Sequence, residues 1–171
     1  MKQWIFASAL IAASLTAVQT GKAANSDATT ANSNSTNSQV CKAATEQEIA
    51  SLFERWDASL GTLNPEKVVE NYAQKSILVP TVSNKVRFSA AEKADYFAHF
   101  LQNKPRGVIN QRMIQIGCNT AFDSGLYTFT YGTTGQVVEA RYTFTYGWDG
   151  EQWLITSHHS SGMPEKANTM H

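Results

Sequence analysis

The chain has 171 residues, 42% of them hydrophobic and 16% charged, which fits one modest globular domain and excludes a multidomain protein. Lys plus Arg (14) balances Asp plus Glu (14), so there is no basic excess to hold nucleic acid or an anionic membrane surface. The only long apolar run lies at the very start, and once it is removed nothing remains that could span a bilayer.

Met1-Lys2-Gln3 is a short positive start, Trp4 to Val18 is apolar apart from Ser8, Ser14 and Thr16, and Gly21-Lys22-Ala23 supplies small residues for a peptidase. Residues 1–23 therefore read as a secretory signal peptide, too short for a membrane anchor, and the protein is expected to be exported, periplasmic or secreted. Cleavage there takes two of the 14 basic residues, Lys2 and Lys22, and leaves the mature chain slightly acidic. Residues 24–39 are almost wholly Asn, Ser, Thr and Ala. With no large side chain to bury, they are expected to form a flexible leader. The folded domain is expected over 40–165, with 166–171 as a tail.

Cys41 and Cys118 are the two cysteines. In an oxidising compartment they are expected to pair, stapling the start of the first helix to a strand. A reactive thiol or a metal site is the alternative, against which stand the absence of CxxC and of a His at ligand spacing from either.

Thr45 followed by Glu48 is a capping-box pattern, and Ile49, Leu52, Phe53, Trp56 and Leu60 recur at helical spacing up to Gly61. Asn64-Pro65-Glu66 opens a shorter helix carrying Val68, Val69 and Tyr72. Ser76 to Val82 reads as a strand that Pro80 confines to a sheet edge. Ser89 with Glu92 caps a third helix whose stripe is Tyr96, Phe97, Phe100 and Leu101, stopped at Lys104 to Gly107. Val108–Ile116, Gly125–Gly132, Gln136–Trp148 and Gln152–Ser160 then carry the Thr, Tyr, Phe, Val and Ile of strands. Helices in series followed by strands in series predict an α+β domain with helices on one face of an antiparallel sheet.

A two-residue turn at Thr134-Gly135 would pair Phe129 with Ala140 and Thr128 with Arg141. A hairpin at Asp149-Gly150 would pair Tyr146 with Trp153, Phe144 with Ile155 and Arg141 with His158. Alternation then places Tyr127, Phe129, Tyr131, Tyr142, Phe144, Tyr146, Trp153 and Ile155 on one face, as core or as a subunit interface. The other face receives Thr128, Glu139, Arg141, Thr143, Thr156 and His158, as a cavity lining or a solvated exterior.

The segment order from Glu46 to Tyr72 and the closing run from Trp148 to Pro164, WDGEQWLITSHHSSGMP, resemble a nuclear transport factor 2-like domain. They resemble in particular the calcium/calmodulin-dependent protein kinase II association domain and its bacterial SnoaL-like relatives. The resemblance implies a cone of three N-terminal helices on a strongly bent sheet, self-association through that sheet as a homodimer or larger, and a pocket for a small carboxylate or polar ligand. It implies no kinase activity, since no kinase catalytic segment is present. Arg141 falls on the strand that carries an arginine in the kinase hub, two residues away from it, and Thr128 stands where a second hub arginine lies. The acid that enzymatic relatives place after the second helix is missing from Tyr72-Ala73-Gln74-Lys75-Ser76.

Arg141, Glu139 and His158 form the best polar cluster, either an anion grip or a structural ion pair. Trp56 and Tyr72 read as core or as a ligand platform, and Asp57 as a helix-surface residue or a cavity acid. His158 and His159 cannot face one way on a regular strand, so no metal site is expected, nor any cofactor. The reading is an exported, non-catalytic, self-associating domain with a ligand pocket. The alternative is an isomerase- or cyclase-like enzyme acting on a small organic substrate.

Overall fold

The computed structural model describes residues 40–164; the signal-peptide, leader and tail readings lie outside these. Helix α1 spans Glu46–Gly61, with the Thr45 hydroxyl accepting from the Glu48 N–H. Helix α2 spans Pro65–Val69, capped by the Asn64 side chain. Helix α3 spans Ala90–Phe100 behind a complete capping box between Ser89 and Glu92, and a 3-10 turn, Leu101–Asn103, ends it. Each cap occupies N–H groups that a helix start leaves without partners. None of the described helices is long and apolar enough to cross a membrane.

Five strands follow the chain as β1 (Tyr72–Val79), β2 (Pro105–Gly117), β3 (Thr120–Tyr131), β4 (Val137–Trp148) and β5 (Trp153–Gly162). They form one sheet in the order β1-β5-β4-β3-β2. The α+β class holds, with β1 at an edge as Pro80 requires. The sheet is mixed rather than wholly antiparallel, because β1 pairs parallel to β5. The long crossover through α3 and the β2–β4 meander brings β5 alongside β1 in the same direction, a pairing no hairpin can make.

Both expected hairpin registers are displaced by two residues at their turns. Phe129 pairs with Val138 and Thr128 with Glu139, because the β3–β4 loop is closed by Tyr131 N–H bonded to Gln136 O and is longer than two residues. Trp148 pairs with Trp153. There the Asp149 carboxylate accepts from the N–H groups of Glu151 and Gln152, an Asx-type turn that lengthens the loop. Further along β5 the register slips once more, from Tyr146↔Ile155 to Thr145↔Ser157. Thr156 is the extra residue of a β-bulge, and every side chain beyond it changes face relative to an unbroken strand.

One face of the sheet is the core. Ile49, Leu52, Phe53, Trp56 and Leu60 of α1 and Phe97 of α3 bury against Tyr127, Phe129, Tyr142, Phe144, Tyr146, Trp153 and Ile155. The aromatic stripe expected as core or interface is therefore core, covered by helices. The opposite face, carrying Val108, Met113, Arg141 and His159, is open. The Cys41–Cys118 disulfide forms. It ties the segment before α1 to the β2–β3 turn rather than to a strand, and the Lys42 N–H bonded to Asn119 Oδ1 reinforces the junction.

Candidate functional site

The bulge at Thr156 divides the expected polar cluster. Arg141 lies opposite Leu126 and Ser161 and is exposed on the open face, as Glu139 is, with Thr128 as its cross-strand partner. His158 lies opposite Phe144 and Leu78 and is buried to 4% exposure in the core. Arg141 and His158 thus stand on opposite faces, and Arg141 shares an open groove with His159 and Ser161 instead. Glu139 takes no part in any ion pair among the described residues.

His158, Trp56 and Tyr72 do meet. The His158 ring stacks on Phe144 with centroids 4.0 Å apart, meets the Trp56 edge at 5.3 Å, and pairs through Nδ1 with the Tyr72 hydroxyl at 2.8 Å. When the phenol donates in that pair, the ring proton sits on Nε2, a buried atom with no hydrogen-bond partner. Burial, with a smaller contribution from His159, lowers the His158 pKa to about 3, so the imidazole is neutral at physiological pH. Burial likewise pushes Tyr72 well above the ordinary tyrosine value. The Trp56 indole N–H acts slightly on that phenol without reaching hydrogen-bond geometry. Lys93, buried in α3, donates to the carbonyls of Ser76 and Phe88 at 3.0 and 2.6 Å. It pins β1, and with it Tyr72, to the helix layer.

Of these groups, His158 and Trp56 border an inner cavity of about 50 Å³. Its walls are mostly apolar, from Leu78, Phe97, Phe100 and Phe129, and its polar wall comes from His158, Tyr127, Ser160 and Thr81. The Tyr127 hydroxyl donates to Ser160 Oγ, and Ser160 Oγ and Thr81 Oγ1 are 2.5 Å apart. Burial raises the Tyr127 pKa above the ordinary tyrosine value. The result is a file of neutral hydroxyls from the interior to exposed Thr81. Sequence reasoning did not single out Tyr127, Ser160 or Thr81. The available signal was the two-residue spacing of His158 and Ser160, which puts both on one face of β5.

Asp57 is neither a surface residue nor a cavity acid. Its buried carboxylate accepts from Arg106 at 2.6 and 3.0 Å and from the Gly107 N–H at 2.6 Å, bolting α1 to β2. A second strut escaped the sequence reading. Asp123, fully buried, accepts from Arg112 at 2.7 Å and from the Tyr142 hydroxyl at 2.8 Å. Among the described residues, no group of three or more His, Cys, Asp or Glu is placed to hold a metal ion.

No protein with a curated description matches the chain. Among solved structures, a Xanthomonas campestris protein assigned as a calcium/calmodulin-dependent protein kinase II association domain is 45% identical. Their alignment covers 75% of this chain and 98% of that one, with a TM-score of 0.68. A nuclear transport factor 2-like protein of unknown function from Pseudomonas putida KT2440 shares the fold at 18% identity, covering 77% and 95% of the two chains, TM-score 0.63. So does an iota-carbonic anhydrase from a cyanobacterium, solved with bicarbonate, at 21% identity, 74% and 97% coverage and TM-score 0.65. The family model for the calcium/calmodulin-dependent protein kinase II association domain matches residues 45–164, from the cap of α1 to the end of the WDGEQWLITSHHSSGMP run, and the chain belongs to that family.

Proposed function

We propose that this protein is an exported member of the association-domain family that assembles through its open sheet face and interconverts carbon dioxide and bicarbonate in its inner cavity. The carrying observation is the cavity itself. A space of about 50 Å³ admits only a few small groups, which suits a species as small as carbon dioxide or bicarbonate. The apolar walls suit carbon dioxide. The hydroxyls of Tyr127, Ser160 and Thr81 and the partnerless Nε2 of His158 suit an oxyanion formed inside. The fold is shared with a carbonic anhydrase solved with bicarbonate, and this supports the reading.

An isomerase or cyclase of the SnoaL-like kind fits less well. No carboxylate lines the cavity to serve as its base. A pocket centred on Arg141, with Glu139 and Thr128 beside it, would face the open groove on the other side of the sheet, where assembly would cover it.

Hydration is measured by stopped flow with a pH indicator, alongside ¹³C NMR of bicarbonate binding. The wild type should accelerate hydration, and Ser160→Ala should lower the rate on the order of 10²-fold, the effect of losing one oxyanion donor. Bicarbonate binding without acceleration would restore the non-catalytic reading. Neither binding nor acceleration by the folded protein would overturn the cavity as the functional site.

A further inference from the structure

Resting on that reading, we infer that His99 carries the proton of the hydration step from the mouth of the cavity to bulk buffer. The reaction requires such a group. A water oxygen bonds to the carbon of carbon dioxide, one C–O π pair moves onto oxygen, and one water proton must leave as bicarbonate forms. The inner hydroxyls can pass that proton along, each accepting one and releasing one. Burial raises the Tyr127 pKa and lowers that of His158 to about 3, so neither group stores the proton near neutral pH.

The hydroxyl file ends at exposed Thr81. The next residues, Val82 and Ser83, border a second, outer cleft of about 470 Å³, wide enough for water. This cleft shares Val82, Tyr96, Phe100 and Tyr131 with the inner cavity, so the two are contiguous. Its titratable lining groups are Arg87, Tyr96, Tyr131 and His99. Arg87 is engaged by Asp95 of α3 at 2.7 Å, and burial raises both tyrosines. His99, in the last turn of α3, is exposed, and an imidazole can accept a proton on one ring nitrogen while releasing one from the other.

The test is hydration kinetics of wild type, His99→Ala and His99→Gln as buffer concentration is raised. Because proton exit follows attack on carbon dioxide, both variants should lose kcat in dilute buffer while kcat/KM holds. The loss should be roughly tenfold, less than the 10²–10⁴ of a group acting on the substrate itself, and added imidazole should restore kcat. Variants matching the wild type at every buffer concentration would overturn the role of His99 and leave the cavity reading intact. A fall in kcat/KM without imidazole rescue would also overturn it. A wild type without hydration activity would overturn the cavity reading, and this inference with it.

Discussion

His158 carries a consequence for stability at the scale of one residue. Its folded pKa is about 3 against about 6.5 in the unfolded chain. Between these values the unfolded state binds the extra proton, so stability falls as pH drops from about 6.5 toward 3 and is unaffected by this group above pH 7. The slope approaches about 1.4 kcal/mol per pH unit where the unfolded imidazole is fully protonated. Urea denaturation at pH 7, 6 and 5 should show the wild type weakening and His158→Gln weakening less. Parallel pH dependences of the two proteins would show that His158 is not held neutral by burial. Asp57 and Asp123 illustrate the opposite choice at the same scale, since each remains in the interior with an arginine, Arg106 or Arg112, as its partner.

At the scale of the element, bulges decide what the sheet presents. Thr156 turns His158 and Ser160 inward, and its hydroxyl donates to Thr145 O at 3.1 Å, which steadies the irregularity. In β2 the register passes from Ile109↔Tyr127 to Gln111↔Leu126, leaving Asn110 as the extra residue, with its side chain accepting from the Thr128 hydroxyl at 2.8 Å. Beside this bulge the β2 and β3 backbones come so close that a Cβ on Gly125 would overlap the carbonyl of Gln111. Backbone cannot yield as a side chain tip can, so Gly125→Ala should destabilise by about 3 kcal/mol, the upper part of the overpacking range. Guanidinium denaturation checks this, and a loss under about 0.5 kcal/mol, the size of an ordinary surface change, would mean the strands separate freely there.

For the whole molecule, helices cover one sheet face and leave the other open. Val108 and Met113 are 63% and 58% exposed there, beside half-buried Phe122 and Leu126, and apolar groups of this kind favour association. The second copy of the chain proposed above would bury them. Met113→Asp would place an unpaired charge in that interface at a cost of about 3 kcal/mol, roughly a hundredfold in affinity. Sedimentation at tens of micromolar, on the order of 10⁻⁵ M, should show dimers or larger species for the wild type and a shift to monomer for the variant. A monomeric wild type would remove assembly through this face.

The sequence by itself determined what depends on neighbours along the chain. Capping residues Thr45, Asn64 and Ser89, the apolar stripe of α1 and the edge placement of β1 follow from local hydrogen bonding and helical spacing, and all are present in the structure. The closing run from Trp148 to Pro164 was specific enough to point to the family. What joins strands across the sheet was decided by tertiary structure. A loop two residues longer than expected, the parallel seat of β1 on β5 and the single extra residue Thr156 depend on contacts between distant segments. Side chains alternate with period two, so one such residue moved His158 from the face of Arg141 to the face of Trp56 and Tyr72. It thereby brought His158 and Ser160 to the wall of the inner cavity.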